Sequence, residues 1–160
     1  MIFITLGTYP LPFKRLIESL DVLFGKGLIK DEVFAQLGYT DYIPKYIPYT
    51  KLLGKDEFDN TIKNASALIG HAGIGSITLA LEYKKPLLVM PRLKKFHEHV
   101  NNHQLDTALK FESLGHVLVA YNEDELADKI MSLKNFVPKP RITQGDAVAQ
   151  RINDFLRTGK

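Results

Sequence analysis

Three loops in this chain hold the residue types that bind small polar ligands. The richest is Gly70-His71-Ala72-Gly73-Ile74-Gly75-Ser76, which joins an apolar run to a helical pattern. Glycine at 73 and 75 lets the main chain come close to a ligand. Ser76 falls in the first helical turn, where free N–H groups hold a phosphate. The spacing is G-x-x-G-x-G. It is neither the dinucleotide fingerprint G-x-G-x-x-G nor the Gly-Lys-Ser/Thr of a phosphate-loop ATPase. Glycines at such turns also serve packing alone, so this loop by itself names no ligand.

The second loop, Pro91 to Gln104, gathers three of the five histidines, with Arg92, Lys94, Lys95, Glu98, Asn101 and Asn102. His, Asn and Gln offer donors and acceptors to hydroxyl groups, so sugar or diphosphate contacts are the functional reading; a solvated helix start is the plain one. His99 and His103 stand four residues apart on one helical face. Glu98 does not share that face and the His-Glu-x-x-His pattern is absent, so no metal site is expected. The third loop is Gly7-Thr8, after the first apolar run.

These loops need elements to position them. Residues 1–6 read as a buried strand, and Phe13, Leu16, Ile17, Leu20 and Leu23 as the apolar stripe of a helix. Strands follow over 32–37 and near 47–51, a helix over 56–65, a strand over 67–70, a helix over 75–83 and a strand over 86–90. A helix is expected over 98–113 and a last strand over 116–121. Asn122 and Glu125 form an Asn-x-x-Glu helix start, and that helix runs to Leu133. A final helix over 144–160 carries Val148, Ile152, Phe155 and Leu156 on one face. Alternation of this kind with continuous apolar strands predicts an α/β fold: a Rossmann-like parallel sheet with helices on both faces. In such sheets ligands sit beyond the C-terminal strand ends, where all three loops lie.

At 160 residues the chain is expected to form one domain, 1–160. The absence of cysteine excludes disulfides, thiolate metal sites and a cysteine nucleophile. Met1 leads straight into an apolar run with no basic segment, so no signal peptide is expected, and no run is long enough to span a bilayer. The net charge of +3 is unevenly spread. Residues 84–110 and 134–160 each carry six Lys/Arg against two acidic residues, leaving the rest net negative. That is either a solvated surface or a field for an anionic ligand, lipid phosphate or anionic membrane. No nucleic-acid-binding signature accompanies it.

Four ordered motifs carry a resemblance: Phe3-Ile4-Thr5-Leu6-Gly7-Thr8, His71-Ala72-Gly73-Ile74-Gly75-Ser76, Lys85-Pro86-Leu87-Leu88-Val89-Met90-Pro91-Arg92 and Glu98-His99-Val100-Asn101-Asn102-His103-Gln104. Over residues 1 to about 135 the chain resembles the C-terminal half of glycosyltransferase family 28. More narrowly, it is similar to the free-standing subunits of two-part enzymes. One such enzyme adds the second N-acetylglucosamine to the dolichol-linked glycan precursor; others build bacterial exopolysaccharide or capsule units on undecaprenyl diphosphate. Pro-Arg-Leu-Lys-Lys and Glu-His-x-x-x-His-Gln look like the bacterial branch.

The resemblance implies the C-terminal lobe of a two-lobed (GT-B) transferase that binds a UDP-sugar as donor substrate, with no further cofactor. It implies Gly7 and Thr8 near the donor diphosphate, and His71, Gly73, Gly75 and Ser76 in the phosphate-cradling turn. His103 and Gln104 are implied to reach the donor sugar or ribose. Many relatives carry a glutamate three residues after the Ser/Thr of that turn; this chain has Leu79 there, with Glu82 three further on. Beyond the resemblance, Arg92, Lys94 and Lys95 are candidate phosphate contacts, and Glu98 and His99 candidate sugar contacts. Helix N-terminal N–H groups would stabilise the departing diphosphate in an inverting transfer.

A membrane-anchored partner is expected to bind a lipid-linked saccharide acceptor and to complete the cleft. It would recruit this cytoplasmic chain to the membrane. The helix over 144–160 either docks that partner or packs on its own core. Two rivals remain: a non-catalytic accessory subunit that stabilises a partner transferase, and an unrelated flavodoxin-like module.

Overall fold

The computed structural model describes residues 1–140; the expected helix over 144–160 lies outside the described residues. Six strands form one sheet in the order β3-β2-β1-β4-β5-β6. They are β1 (Ile2–Thr5), β2 (Val33–Gln36), β3 (Tyr49–Thr50), β4 (Ala67–His71), β5 (Leu87–Met90) and β6 (Leu118–Val119). Every pairing is parallel, with Ile4 beside Ala35 on one flank and Ile69 on the other. The helices are α1 (Lys14–Gly25), α2 (Lys55–Asn64), α3 (Ile74–Glu82), α4 (His103–Ser113) and α5 (Leu126–Leu133).

The period-two alternation of strand side chains divides the core between two faces. Ile2, Ile4 and Leu6 pack with Leu16, Ile17 and Leu20 of α1 and Leu126, Ile130 and Leu133 of α5. Phe3, Leu68 and Val89 point the other way, onto Ile62 of α2, Ile77 and Ala80 of α3 and Ala108 of α4. Burying one such Leu or Ile contributes about 1.5–3 kcal/mol, so both helical layers are held by their apolar stripes. Sheets covered on both faces are the ones whose strands read as unbroken apolar runs.

The strand order reverses between β1 and β4. From β1 the chain moves outward to β2 and β3, crosses back through α2 to β4, then moves the opposite way. The C-terminal ends of β1 and β4 therefore part company and leave a crevice. The helix start at Asn122 forms as expected. Its Oδ1 accepts from the Glu125 N–H at 3.2 Å, while Glu125 accepts from the Asn122 amide at 2.8 Å and from the Tyr121 N–H at 2.9 Å.

The last strand, expected over 116–121, is only Leu118–Val119, and the helix expected over 98–113 is also shorter. The helix read from residue 98 begins at His103. Glu98 turns back to accept the Leu93 N–H at 3.0 Å, Asn102 accepts the Lys94 N–H at 2.9 Å, and His97 takes a left-handed conformation with φ of 57°. These loop bonds satisfy Lys94–Asn102 locally, so the periodic pattern is never used as helix there.

Candidate functional site

The crevice at the switch point is an open cavity of about 610 Å³. Its lining includes Thr5, Gly7 and Thr8 from the end of β1, His71 from β4, and Gly75, Ser76 and Leu79 from α3. Gln36 from β2 and Leu53, Lys55 and Phe58 from the β3–α2 side complete it. A second cavity, about 630 Å³, lies against α3 and residues 137–140, away from the strand ends, with a mainly apolar lining. The crevice is the better ligand site because polar groups and a helix N-terminus converge on it.

The N-terminus of α3 has no side-chain cap. Its first amides have no acceptor within the helix and carry the positive end of its dipole. A Cβ at Gly75 would meet nothing within 4 Å beyond its chain neighbours and its own helix backbone, so this glycine faces open space at the crevice. Gly73 differs. A Cβ there would run into His71 Nε2, so the glycine makes room for the imidazole.

Gly7 makes room for the same ring. It holds φ of +75°, and a Cβ would stand 2.6 Å from His71 Cε1. His71 is thus wedged between the two glycine turns, with its Nδ1 buried and unpartnered. Burial, reinforced by the nearby Arg92 charge, pushes its pKa down to about 4, against a smaller opposing effect of the Thr5 backbone. The ring is neutral at neutral pH and adds no charge to the crevice.

The loop after β5 is built differently from expectation. Arg92 is 1% exposed. Its Nη1 donates to the carbonyls of Leu11 at 2.7 Å, Glu98 at 3.1 Å and Pro12 at 3.4 Å; its Nη2 donates to the Leu6 carbonyl at 2.8 Å. The guanidinium also lies over the rings of Phe13 and Tyr9. Burial lowers its pKa to about 10 despite the Glu98 carboxylate, so it stays charged. Its Nε is buried without an acceptor, and the side chain, expected as a phosphate contact, does not line the crevice.

Glu98 is likewise bonded within the protein. Its Oε1 and Oε2 accept from Arg15 Nε and Nη2, both at 2.9 Å, so it serves as an internal counter-ion and, though expected as a sugar contact, does not line the crevice. The Gln104 side chain accepts the Arg92 N–H at 3.1 Å, which ties its carbonyl to the main chain.

The His99 ring stacks on Tyr9 at 4.5 Å and meets the His103 ring edge-on at 4.4 Å. Burial and the neighbouring His103 and Arg92 lower the pKa of His99. His103 is exposed, as are Lys94 and Lys95 on a short 3-10 turn. The structure thus brings Gly7, Thr8, His71, Gly75 and Ser76 into the cavity wall, and leaves Gly73, Arg92, Lys94, Lys95, Glu98, His99, His103 and Gln104 out of it. Sequence reasoning missed Gln36, Leu53, Lys55 and Phe58. The rule that ligands lie beyond strand ends points to these residues too, once β3 is recognised as a strand only two residues long.

Known proteins resemble this chain in sequence and in fold. The chain is 31% identical over 124 residues to the UDP-N-acetylglucosamine transferase subunit ALG13 of Candida glabrata, covering 74% of this chain and 58% of that protein. It is 33% identical over 107 residues to the human ALG13 subunit, covering 67% of this chain and 8% of that protein. The chain therefore spans only part of the length of these relatives.

Its fold matches the glycotransferase of kitacinnamycin with a TM-score of 0.63 and 18% identity, over 98% of this chain and 38% of that one. It matches the solution structure of ALG13 with a TM-score of 0.58 and 19% identity, over 95% and 94% of the two chains. The fold is thus Rossmann-like, shared with one lobe of two-lobed glycosyltransferases. The profile of the glycosyltransferase family 28 C-terminal domain matches residues 1–155, nearly the whole chain, and so the chain belongs to that family.

Proposed function

We propose that this chain is the UDP-sugar-binding subunit of a two-part inverting glycosyltransferase. The observation that carries this reading is the crevice beyond β1 and β4, where the uncapped α3 N-terminus and Gly75 leave space and free N–H groups for a diphosphate. The relatives named as UDP-N-acetylglucosamine transferase subunits support a UDP-sugar donor and a partner subunit. The sugar is a hexose or N-acetylhexosamine, and the acceptor a lipid-linked saccharide of a polysaccharide pathway. Loss of UDP is assisted by the α3 amides, which stabilise the charge growing on the β-phosphate.

The base that deprotonates the acceptor comes from the partner's side of the cleft. Tyr39, Ile43, Leu52, Ile74, Phe96 and Val100 are exposed apolar side chains on the loops at the C-terminal strand ends, which suits a protein surface closing over the crevice. The partner is membrane-anchored and brings this chain to the cytoplasmic membrane face. No helix among the described residues is long and apolar enough to cross a membrane.

Calorimetric titration with UDP, UDP-N-acetylglucosamine and UDP-glucose tests the donor site. Saturable binding of UDP and of one UDP-sugar is expected; no heat at millimolar ligand overturns the reading. One observation favours a second reading. Leu79 lines the cavity where many relatives place a glutamate, as suits an accessory subunit that has lost donor turnover. Co-expression with the partner and an assay for sugar transfer separates the two.

A further inference from the structure

We propose that Arg92 is a positioning residue for the donor site: its buried guanidinium fixes the Gly7–Thr8 turn against the loop bearing His99, His103 and Gln104, so that both stand in place before ligand arrives. The proposal rests on the donor reading above, but its geometry is independent of it. The carbonyls that Arg92 holds bracket the first loop. Leu6 immediately precedes Gly7, while Leu11 and Pro12 close the turn into α1. The same guanidinium holds the Glu98 carbonyl, and the Arg92 N–H is accepted by the Gln104 side chain. One residue therefore spans two loops separated by more than 80 positions in sequence.

Only a planar fork of donors reaches carbonyls in these different directions; a lysine offers a point charge with less reach. A brace supports it. Arg15 pairs with both oxygens of Glu98 and donates to the Pro91 carbonyl at 2.9 Å, so the loop is held from α1 as well. Tyr9 adds a packing link, stacked on His99 and lying under the Arg92 charge. Loops held from within in this way lose little freedom on binding, which raises affinity without any direct contact to the ligand.

The test combines hydrogen exchange with binding on the full chain. In the unliganded wild type, the N–H groups of Arg92, Leu93 and Lys94 are accepted by Gln104, Glu98 and Asn102, and are expected to be protected. Exchange there at the rate of unstructured chain would overturn the proposal whatever any variant does. In Arg92→Lys, exchange is expected to quicken together in residues 6–12 and 92–104, while α2 keeps its wild-type protection. UDP affinity is expected to fall about tenfold. Loss at one loop only, or unchanged UDP affinity in a folded Arg92→Lys protein, also overturns it. If wild type binds no UDP, the donor reading fails, and the paired exchange response still decides the role of Arg92.

Discussion

The His71 imidazole lies so close to Gly7 that a methyl group there would sit 2.6 Å from its Cε1. Two glycines of the crevice therefore serve different masters. Gly7 yields space to a protein side chain at a φ of +75°, whereas Gly75 yields space to nothing in the protein.

Substitution separates these roles. Gly7→Ala combines a left-handed backbone with the clash against His71, and should cost about 2–4 kcal/mol of stability. Gly75→Ala should leave stability unchanged or slightly raised, because alanine favours a helix, while weakening UDP binding. Urea denaturation and calorimetry on the two variants check both halves. A Gly75→Ala protein with full affinity would remove the α3 turn from the site.

His71 gives the fold a pH dependence. Its folded pKa of about 4 lies below the ordinary 6.5, so the unfolded chain takes up a proton first as pH falls. Stability from this group is complete above pH 6.5 and lost between there and about pH 4, by up to ~3 kcal/mol. His99, also depressed, works in the same direction. Denaturation midpoints across this range should fall with pH. Proton NMR should show the His71 ring still neutral at pH 5; a titration near 6.5 would refute the buried placement.

Arg15 and Glu98 form an ion pair with side chains 9% and 4% exposed. Glu98→Gln leaves Arg15 without its main counter-charge and should cost about 3 kcal/mol. Arg15→Met combined with Glu98→Met should recover much of that loss, because an apolar pair of similar volume avoids burying an unpaired charge. A double-mutant cycle by urea denaturation measures the coupling, and additive losses would show that the two side chains act separately.

His103 and Gln104 should respond differently. His103 is exposed and stands outside the crevice wall, but the family resemblance implies that it reaches the donor sugar; on that reading His103→Ala should weaken UDP-N-acetylglucosamine binding while leaving UDP binding and stability near wild type. Gln104 is 4% exposed and holds the Arg92 N–H, so Gln104→Ala should lower stability by about 1–3 kcal/mol and weaken both ligands. Equal effects of His103→Ala on UDP and UDP-sugar would take His103 away from the sugar.

Strands, helices and the Asn122 start were legible because apolar runs and a capping box encode them within a few residues. The parallel sheet followed from their alternation. The turns at Gly7 and at Gly70–Ser76 were legible as neighbours at the C-terminal strand ends, since each follows an apolar run and the second carries glycines at a strand-to-helix turn. The burial of Arg92 was not legible, for a physical reason. Arginine is seldom fully buried, and the carbonyls that make burial tolerable come from Leu6, Leu11 and Pro12, far off in the chain. The burial of Glu98 was hidden for the same reason, because its partner is Arg15. Local periodicity cannot register such pairings, and it extended α4 across a loop that those pairings shape.

The Arg92 clasp also orders events in time. The Leu6 carbonyl and its Arg92 partner are 86 residues apart, so while the chain is being made the Gly7 turn has no anchor until β5 and the loop beyond it have been added. A nascent chain that has completed β1, β2 and β3 carries the first half of the crevice without the brace that shapes it. The finished shape of the crevice therefore arises late, when β5 joins β4 and delivers a single buried charge to carbonyls laid down at the start.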